Sequence, residues 1–313
     1  MALVSAITCV YNGAPTIAEA IDSILAQAID GMDIIVVDDG STDSTRTVLE
    51  RYGSRIKLLV QPNAGVSAAC NAAVRVSSSE YLAFLDADDV WLPGRVAKTV
   101  AALQRNRQAQ LAFTDYLIGQ DLGAALDVIA FDGSPSLDDM LRLWMPIARS
   151  AVTMRRESFE CCGGFPEGVR WGEDMCLWLR TREQGTFQHI NEPLAIYRRM
   201  TFPSSEQRYS LAARKRFERV VLTRFGNRAK PLIREARAQF ASVLLNSALR
   251  QIEAGDRRGA LRSWSVLMRC NPLYLVRHGN LRRLGSRKNL LRLFAMLAPA
   301  TFSQRRPGDG GQL

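Results

Sequence analysis

The chain has 313 residues, 47% hydrophobic and 23% charged, with 22 Gly and 12 Pro. That is room for one large or two ordinary domains and excludes a disordered, collagen-like or low-complexity chain. Charge is divided unevenly: residues 1–204 carry 18 Lys+Arg against 25 Asp+Glu, and residues 205–313 carry 23 against 6. Net charges of −7 and +17 predict two modules, an α/β domain over 1–204 and a basic helical module over 205–313.

Val4–Val10 is an apolar, β-branched run that ends at the turn signal Tyr11-Asn12-Gly13, and reads as a strand. Residues 16–28 place Ile17, Ala20, Ile21, Ile24, Leu25 and Ala28 at helical spacing. Ile34–Val37 is continuously apolar, as expected of a strand buried on both faces of a parallel sheet. It stops at Asp38-Asp39-Gly40, where Ser41 or Thr42 is expected to cap the next helix. Ile56–Val60 is a third strand, Ala64–Val76 a small-residue helix and Tyr81–Leu85 a fourth strand, with another helix after Pro93. This alternation predicts a doubly wound, mostly parallel α/β sheet. Ligands in such sheets bind beyond the carboxyl ends of the strands, where Asp38-Asp39 and Asp86–Asp89 fall.

Asp86-Ala87-Asp88 follows directly on an apolar strand. In an extended segment alternate side chains point the same way, so the two carboxylates are expected to converge. Converging carboxylates repel unless protons or a cation intervene, and Mg2+ or Mn2+ held with substrate phosphates meets that need. A polar loop whose aspartates cap the next helix is the alternative. Farther on, Trp171-Gly172-Glu173-Asp174 opens a helix containing Met175, Leu177, Trp178 and Leu179. Acidic residues suit a first helical turn. Asp174 is thus either start chemistry or a general base, ionised at neutral pH because the helix terminus lowers its pKa. Trp178 reads as core. No glycine-rich phosphate loop occurs, which disfavours a dinucleotide oxidoreductase or P-loop enzyme. Six cysteines without a CxxC and two histidines give neither a disulfide scaffold nor a zinc site.

Beyond residue 204, segments 207–225 and 229–254 read as helices, with Ile233, Ala236, Phe240, Val243, Leu244 and Ile252 as core positions. Ala254-Gly255-Asp256-Arg257-Arg258-Gly259-Ala260-Leu261, with Trp264 and Leu267, resembles part of one tetratricopeptide repeat. Leu290–Leu297, next to Arg287 and Lys288, suits helix packing or a membrane surface, and the tail Arg305–Leu313 is expected to be disordered. No apolar run reaches the length of a transmembrane helix, and Met1–Ser5 lacks a signal-peptide pattern. A cytoplasmic location is therefore expected, with the basic module in peripheral contact with the inner membrane face.

Together, Val4–Asn12, Val36–Asp43, Asn63–Ala69, Phe84–Trp91, Gly163-Gly164-Phe165, Gly172-Glu173-Asp174 with Leu177–Arg180, and Pro193–Arg198 resemble the family 2 glycosyltransferases. The resemblance covers about residues 3–200. It implies a GT-A fold and inverting transfer of a sugar from a nucleotide-sugar donor to a sugar or lipid-linked acceptor, without nucleic acid as a partner. It implies that Cys9, Tyr11 and Asp39, with Asp38 adjoining, line the nucleoside pocket. Asp86 and Asp88 would be the DxD pair that holds the metal, and Asp174 the base, beside Glu173 and Trp171 as substrate contacts. The chain departs from the family pattern at Cys9, where Pro is frequent, at Cys70, where Arg is usual, and at Cys176, where Asp is frequent. A nucleotidyltransferase, or a GT-A scaffold without activity that binds partners through its basic helices, are the competing readings.

Overall fold

The computed structural model describes residues 2–119, 126–143, 147–169, 172–198 and 211–253, with 261, 264, 265 and 267. The chain divides into two compact units, Met1–Lys230 and Pro231–Leu313, so this division falls later than the 204/205 boundary expected from charge.

In the first unit, strands β1 (Val4–Val10), β2 (Asp33–Asp38), β3 (Lys57–Val60) and β4 (Tyr81–Asp86) alternate with helices α1 (Ile17–Leu25), α2 (Thr45–Glu50) and α3 (Val66–Val76). The four strands lie in the order β3-β2-β1-β4 and all pair in parallel. Ile7, Ile35, Val36, Val37, Leu82 and Leu85 are buried, and each contributes about 1.5–3 kcal/mol of hydrophobic stabilisation. The apolar runs of β1, β2 and β4 are thus explained: these strands are covered on both faces, whereas the edge strand β3 has both ends exposed.

The chain continues through β5 (Val90–Trp91), α4 (Arg95–Arg105), β6 (Ala109–Gly119), β7 (Asp127–Ile129), α5 (Leu137–Leu143), β8 (Val152–Arg155), α6 (Arg156–Cys161), α7 (Glu173–Gln184) and β9 (Thr186–Arg198). Strand order runs on from β4 through β8, β6 and β9 to β5, with β7 beside β6. This half is mixed: β8 is antiparallel to β4 and β6, whereas β9 runs parallel to β6 with register shifts. The GT-A type of fold expected from the sequence is present.

Aromatic packing positions α7. Phe165 meets Phe84 of β4 edge-on at 5.3 Å and Trp178 of α7 at 6.0 Å, and Phe159 of α6 completes the cluster at 5.6 Å from Phe165. Trp178 is fully buried, with its indole N–H on the Ile147 carbonyl at 3.1 Å. The start of α7 is thereby fixed against the end of β4.

The last helical stretch, α8 (Leu211–Glu253), is broken at Gly226, where φ is 53°, inside the interval the sequence left between two helices. Pro231 lies five residues beyond the break. Phe217, in the first unit, is buried against Gly172. In the second unit Ala241, Leu245 and Leu267 form a small core with Ala238, Leu249 and Trp264 packed on it. Ile233 is buried. The rest of the repeat-like segment, Leu290–Leu297 and the tail lie outside the described residues, as do the side chains of Ala236, Phe240, Val243, Leu244 and Ile252.

Candidate active site

The carboxyl ends of β1, β2 and β4 form one rim because their parallel register aligns them: Cys9 lies opposite Asp86, and Val10 opposite Asp38. The loop after β1 is locked to the loop after β2. Asn12, at φ 52°, accepts the Thr42 N–H on Oδ1 at 2.7 Å and donates its own N–H to Ser41 Oγ at 3.0 Å. Ser41 and Thr42 therefore tie two loops together and do not cap α2, whose N-cap is Ser44. Asp38 is buried and holds the Ser41 N–H at 2.9 Å. Asp39 is buried too and accepts from Gln61 Nε2, the Ala64 N–H and the Gly65 N–H at 2.7–2.9 Å. It organises the segment leading into α3. Gly40, at φ 78°, lets this segment pass, since a Cβ there would sit 2.7 Å from the Asn63 nitrogen. Tyr11 is half exposed at the rim, so its ring is open to stack on a planar ligand.

Asp86, Asp88 and Asp89 place ligand oxygens within 4.8 Å of one another. A turn brings them together, closed by the Asp89 N–H on the Asp86 carbonyl at 3.0 Å, and not the alternation of an extended strand. Asp89 is buried, accepts Ser150 Oγ–H and the Arg198 N–H, and so pins β9 and the 3-10 turn Arg149–Ala151 to the acidic turn. Burial and the charges of Asp88 and Asp86 push its carboxyl well above the ordinary range. That upward pressure is relieved by a divalent cation, and an all-carboxylate oxygen set is the donor chemistry Mg2+ and Mn2+ prefer. The residues therefore fit such an ion, which Asp86 and Asp88 would hold.

Glu173 and Asp174 open α7, and Gly172 is the N-cap at φ 73°. A Cβ at Gly172 would meet Phe217 Cδ2 at 2.8 Å. Asp174 Oδ1 accepts the Met175 N–H at 2.7 Å. Its carboxyl is raised to about 7, by burial first and then by the Glu173 charge, with Arg149 and the Met175 N–H opposing. The sequence expectation of a lowered value is therefore reversed: desolvation and a like charge outweigh the helix terminus. A carboxylate tuned near neutrality is well matched to general-base work.

Arg149 was not singled out in the sequence, yet it joins the two acidic motifs. Its Nε lies 2.6 Å from Asp86 Oδ1, a second nitrogen also contacts that oxygen, and Nη1 is 3.5 Å from Glu173 Oε1. The guanidinium also lies 5.7 Å from the Phe165 ring centre. Asp86, Cys70, Glu173 and Asp174 hold its charge firmly despite burial. The only signal available was an arginine beside a short apolar segment. Ser150 was equally silent, though it accepts the Asp86 N–H at 3.0 Å and donates to Asp89.

Cys9 and Cys70 meet at the same rim, with sulfurs 3.1 Å apart. Trp171 lies outside the described residues. A cleft of about 830 Å3 at the opposite end of β4, lined by Glu80, Tyr81, Arg107 and Arg155, contains none of the acidic-turn residues.

A twisted α/β sheet with an acidic turn after its fourth strand, facing an acidic helix start, defines the class of GT-A-type sugar transferases. The chain belongs to glycosyl transferase family 2, whose pattern matches residues 5–163. It is 32% identical over 222 residues to TuaG of Bacillus subtilis, named as a putative teichuronic acid biosynthesis glycosyltransferase, covering 69% of this chain and 86% of that protein. The chain spans 29–64% of the length of several other relatives. Among solved structures it is similar to S. aureus TarS 1-349 in complex with UDP-GlcNAc, with a TM-score of 0.61, 17% identity, and 86% of this chain and 81% of that one covered. It is also similar to the mannosyltransferase PcManGT of Pyrobaculum calidifontis in complex with GDP-Man and Mn2+, with a TM-score of 0.53, 19% identity, and 87% of each chain covered.

Proposed function

We propose that this glycosyltransferase is metal-dependent and inverting, and that it moves a sugar from a nucleoside-diphosphate donor to a hydroxyl of a sugar or lipid-linked acceptor in polysaccharide or glycoconjugate synthesis. The observation that carries the reading is the Arg149 bridge, which sets Asp86 and Glu173 one guanidinium apart. Leaving-group and base chemistry thus share one rim. The similarity to TuaG supports the polysaccharide setting. The nucleotide-sugar and Mn2+ complexes of structural neighbours support the donor class and the ion.

In this reading Tyr11 stacks on the base of the donor, while Asp39 holds the pocket wall. Asp86 and Asp88 hold Mn2+ or Mg2+, which supplies Lewis-acid stabilisation of charge on the departing diphosphate. Arg149 adds a fixed positive charge on the same side. Asp174 accepts the proton of the acceptor hydroxyl as its oxygen attacks the anomeric carbon from the face opposite the diphosphate, which inverts that centre. Glu173 keeps the Asp174 carboxyl poised by its charge.

Among the described residues no helix is long and apolar enough to cross a membrane. We place the basic module of 205–313 on an anionic membrane face, where each exposed Lys or Arg contributes about 1 kcal/mol. Salt-sensitive sedimentation with anionic vesicles tests this, and no binding at low ionic strength rejects it. A panel of UDP- and GDP-sugars with Mn2+, read by release of nucleoside diphosphate in the presence of polysaccharide fragments, tests the activity. Absence of both transfer and donor hydrolysis across the panel would reject it.

A further inference from the structure

The two departures from the family pattern on the donor side of the rim, Cys9 and Cys70, are far apart in sequence but touch in space. Their sulfurs lie 3.1 Å apart, about 1 Å beyond a disulfide bond. Cys9 sits at the end of β1 opposite Asp86, half-buried, and Cys70 is buried in α3. Both sulfurs feel the Arg149 charge.

We propose that Cys9 and Cys70 are a modification site: a dithiol that a small hydroperoxide closes to a disulfide, and whose closure weakens donor binding at the adjoining rim. The consequence for the donor rests on the function proposed above, whereas the covalent step does not. Cys9, the more accessible thiol, loses its proton and attacks the peroxide oxygen. The O–O bond breaks, hydroxide leaves, and Cys9 becomes a sulfenic acid. Cys70 then gives up its proton, its sulfur attacks the Cys9 sulfur, and water departs. Two thiols and one hydrogen peroxide thus yield one disulfide and two waters. Burial and the neighbouring Cys70 raise the Cys9 thiol above its ordinary value, which slows the first step, so closure requires hydrogen peroxide in excess.

Closure affects the donor because the new bond ties β1 to α3. Cys9 lies two residues before Tyr11 and opposite Asp86, and α3 follows the segment held by Asp39. A binding constellation displaced by more than about 0.5 Å loses its fit.

The test treats the full chain with hydrogen peroxide and then with dithiothreitol, alongside Cys9→Ser and Cys70→Ser. Peptide mapping by mass spectrometry and UDP and GDP affinity by calorimetry are both read. The expected result is a Cys9–Cys70 linked peptide in the parent alone, with affinity at least tenfold weaker and restored by dithiothreitol, while each variant, whatever its own starting affinity, binds equally well with and without peroxide. A parent without the linked peptide overturns the proposal, as does a linked parent that binds as the reduced protein does. A reduced parent that binds neither nucleotide overturns the donor-site reading and the predicted consequence, while the linked peptide still decides the covalent site.

Discussion

Replacing Arg149 by Met removes the charge and keeps much of the apolar stem. In the resting protein the guanidinium contacts Asp86 at 2.6 Å and Glu173 at 3.5 Å, with little of its side chain exposed. A charge pair with centres about 4 Å apart interacts by about 4 kcal/mol at an effective dielectric of 20. An entering divalent cation must overcome this hold on Asp86 and the repulsion of a like charge. Relief of even half, about 2 kcal/mol, is about a 30-fold gain in affinity. Arg149→Met is therefore expected to bind Mn2+ more tightly than the parent when no nucleotide is present. It should bind UDP or GDP about 10–100-fold more weakly, because charge-assisted hydrogen bonds worth about 1.5–3 kcal/mol are lost. Two acids left without their cation should also destabilise the fold by about 3–5 kcal/mol. Electron paramagnetic resonance titration of Mn2+, calorimetric titration of nucleotide and circular dichroism as a check of folding separate the effects. A folded variant with unchanged or weaker Mn2+ affinity and parental nucleotide affinity would refute the reasoning.

Gly172→Ala should lower stability by about 1–3 kcal/mol and reduce turnover, because its φ of 73° and the nearby Phe217 both resist a Cβ; thermal denaturation and steady-state kinetics read both. Asp39→Ala removes a carboxylate that accepts three hydrogen bonds and should cost at least about 3 kcal/mol and most of the nucleotide affinity, measured by urea unfolding and calorimetry. The rate should fall about tenfold per pH unit below an apparent value near 7, since Asp174 must be ionised to accept a proton; a flat profile between pH 5 and 8 would contradict this. The same group lowers stability at high pH. Its folded value of about 7 exceeds the ordinary 3.8, so the unfolded chain binds fewer protons in that window and stability falls as pH rises through it. Asp174→Asn should thus melt above the parent at pH 8, by up to about 4 kcal/mol, and with it at pH 3.

β2 and β4 were legible because they are buried on both faces and so form nearly unbroken apolar runs, whereas β3, an edge strand with both ends exposed, was legible from a shorter apolar stretch. The second half of the sheet was not. β6 carries Thr114 and Asp115 in its interior, a register shift with β9 falls there, and Asp115 pairs with His189 Nε2 at 2.8 Å from far along the chain. A pattern scan has no means of supplying that partner. The acidic cluster was legible by composition, but its geometry depended on a turn. The pKa direction of Asp174 was misjudged because the helix terminus is visible in sequence, whereas burial is not. Arg149 was invisible for the same reason: its importance lies in two partners contributed by β4 and α7. Cys9 and Cys70 were visible separately as departures, and only the fold joins them.

The central claim is that Asp174 takes the proton while other residues hold the donor. Asp174→Asn keeps the size of the side chain and the acceptor for the Met175 N–H, and removes only the basic oxygen. Transfer and nucleoside-diphosphate binding measured on this one variant separate chemistry from binding. The account predicts turnover about 10²–10⁴-fold lower with UDP or GDP affinity within a few-fold of the parent. Transfer at a near-parental rate would contradict it and make Glu173 the next residue to test.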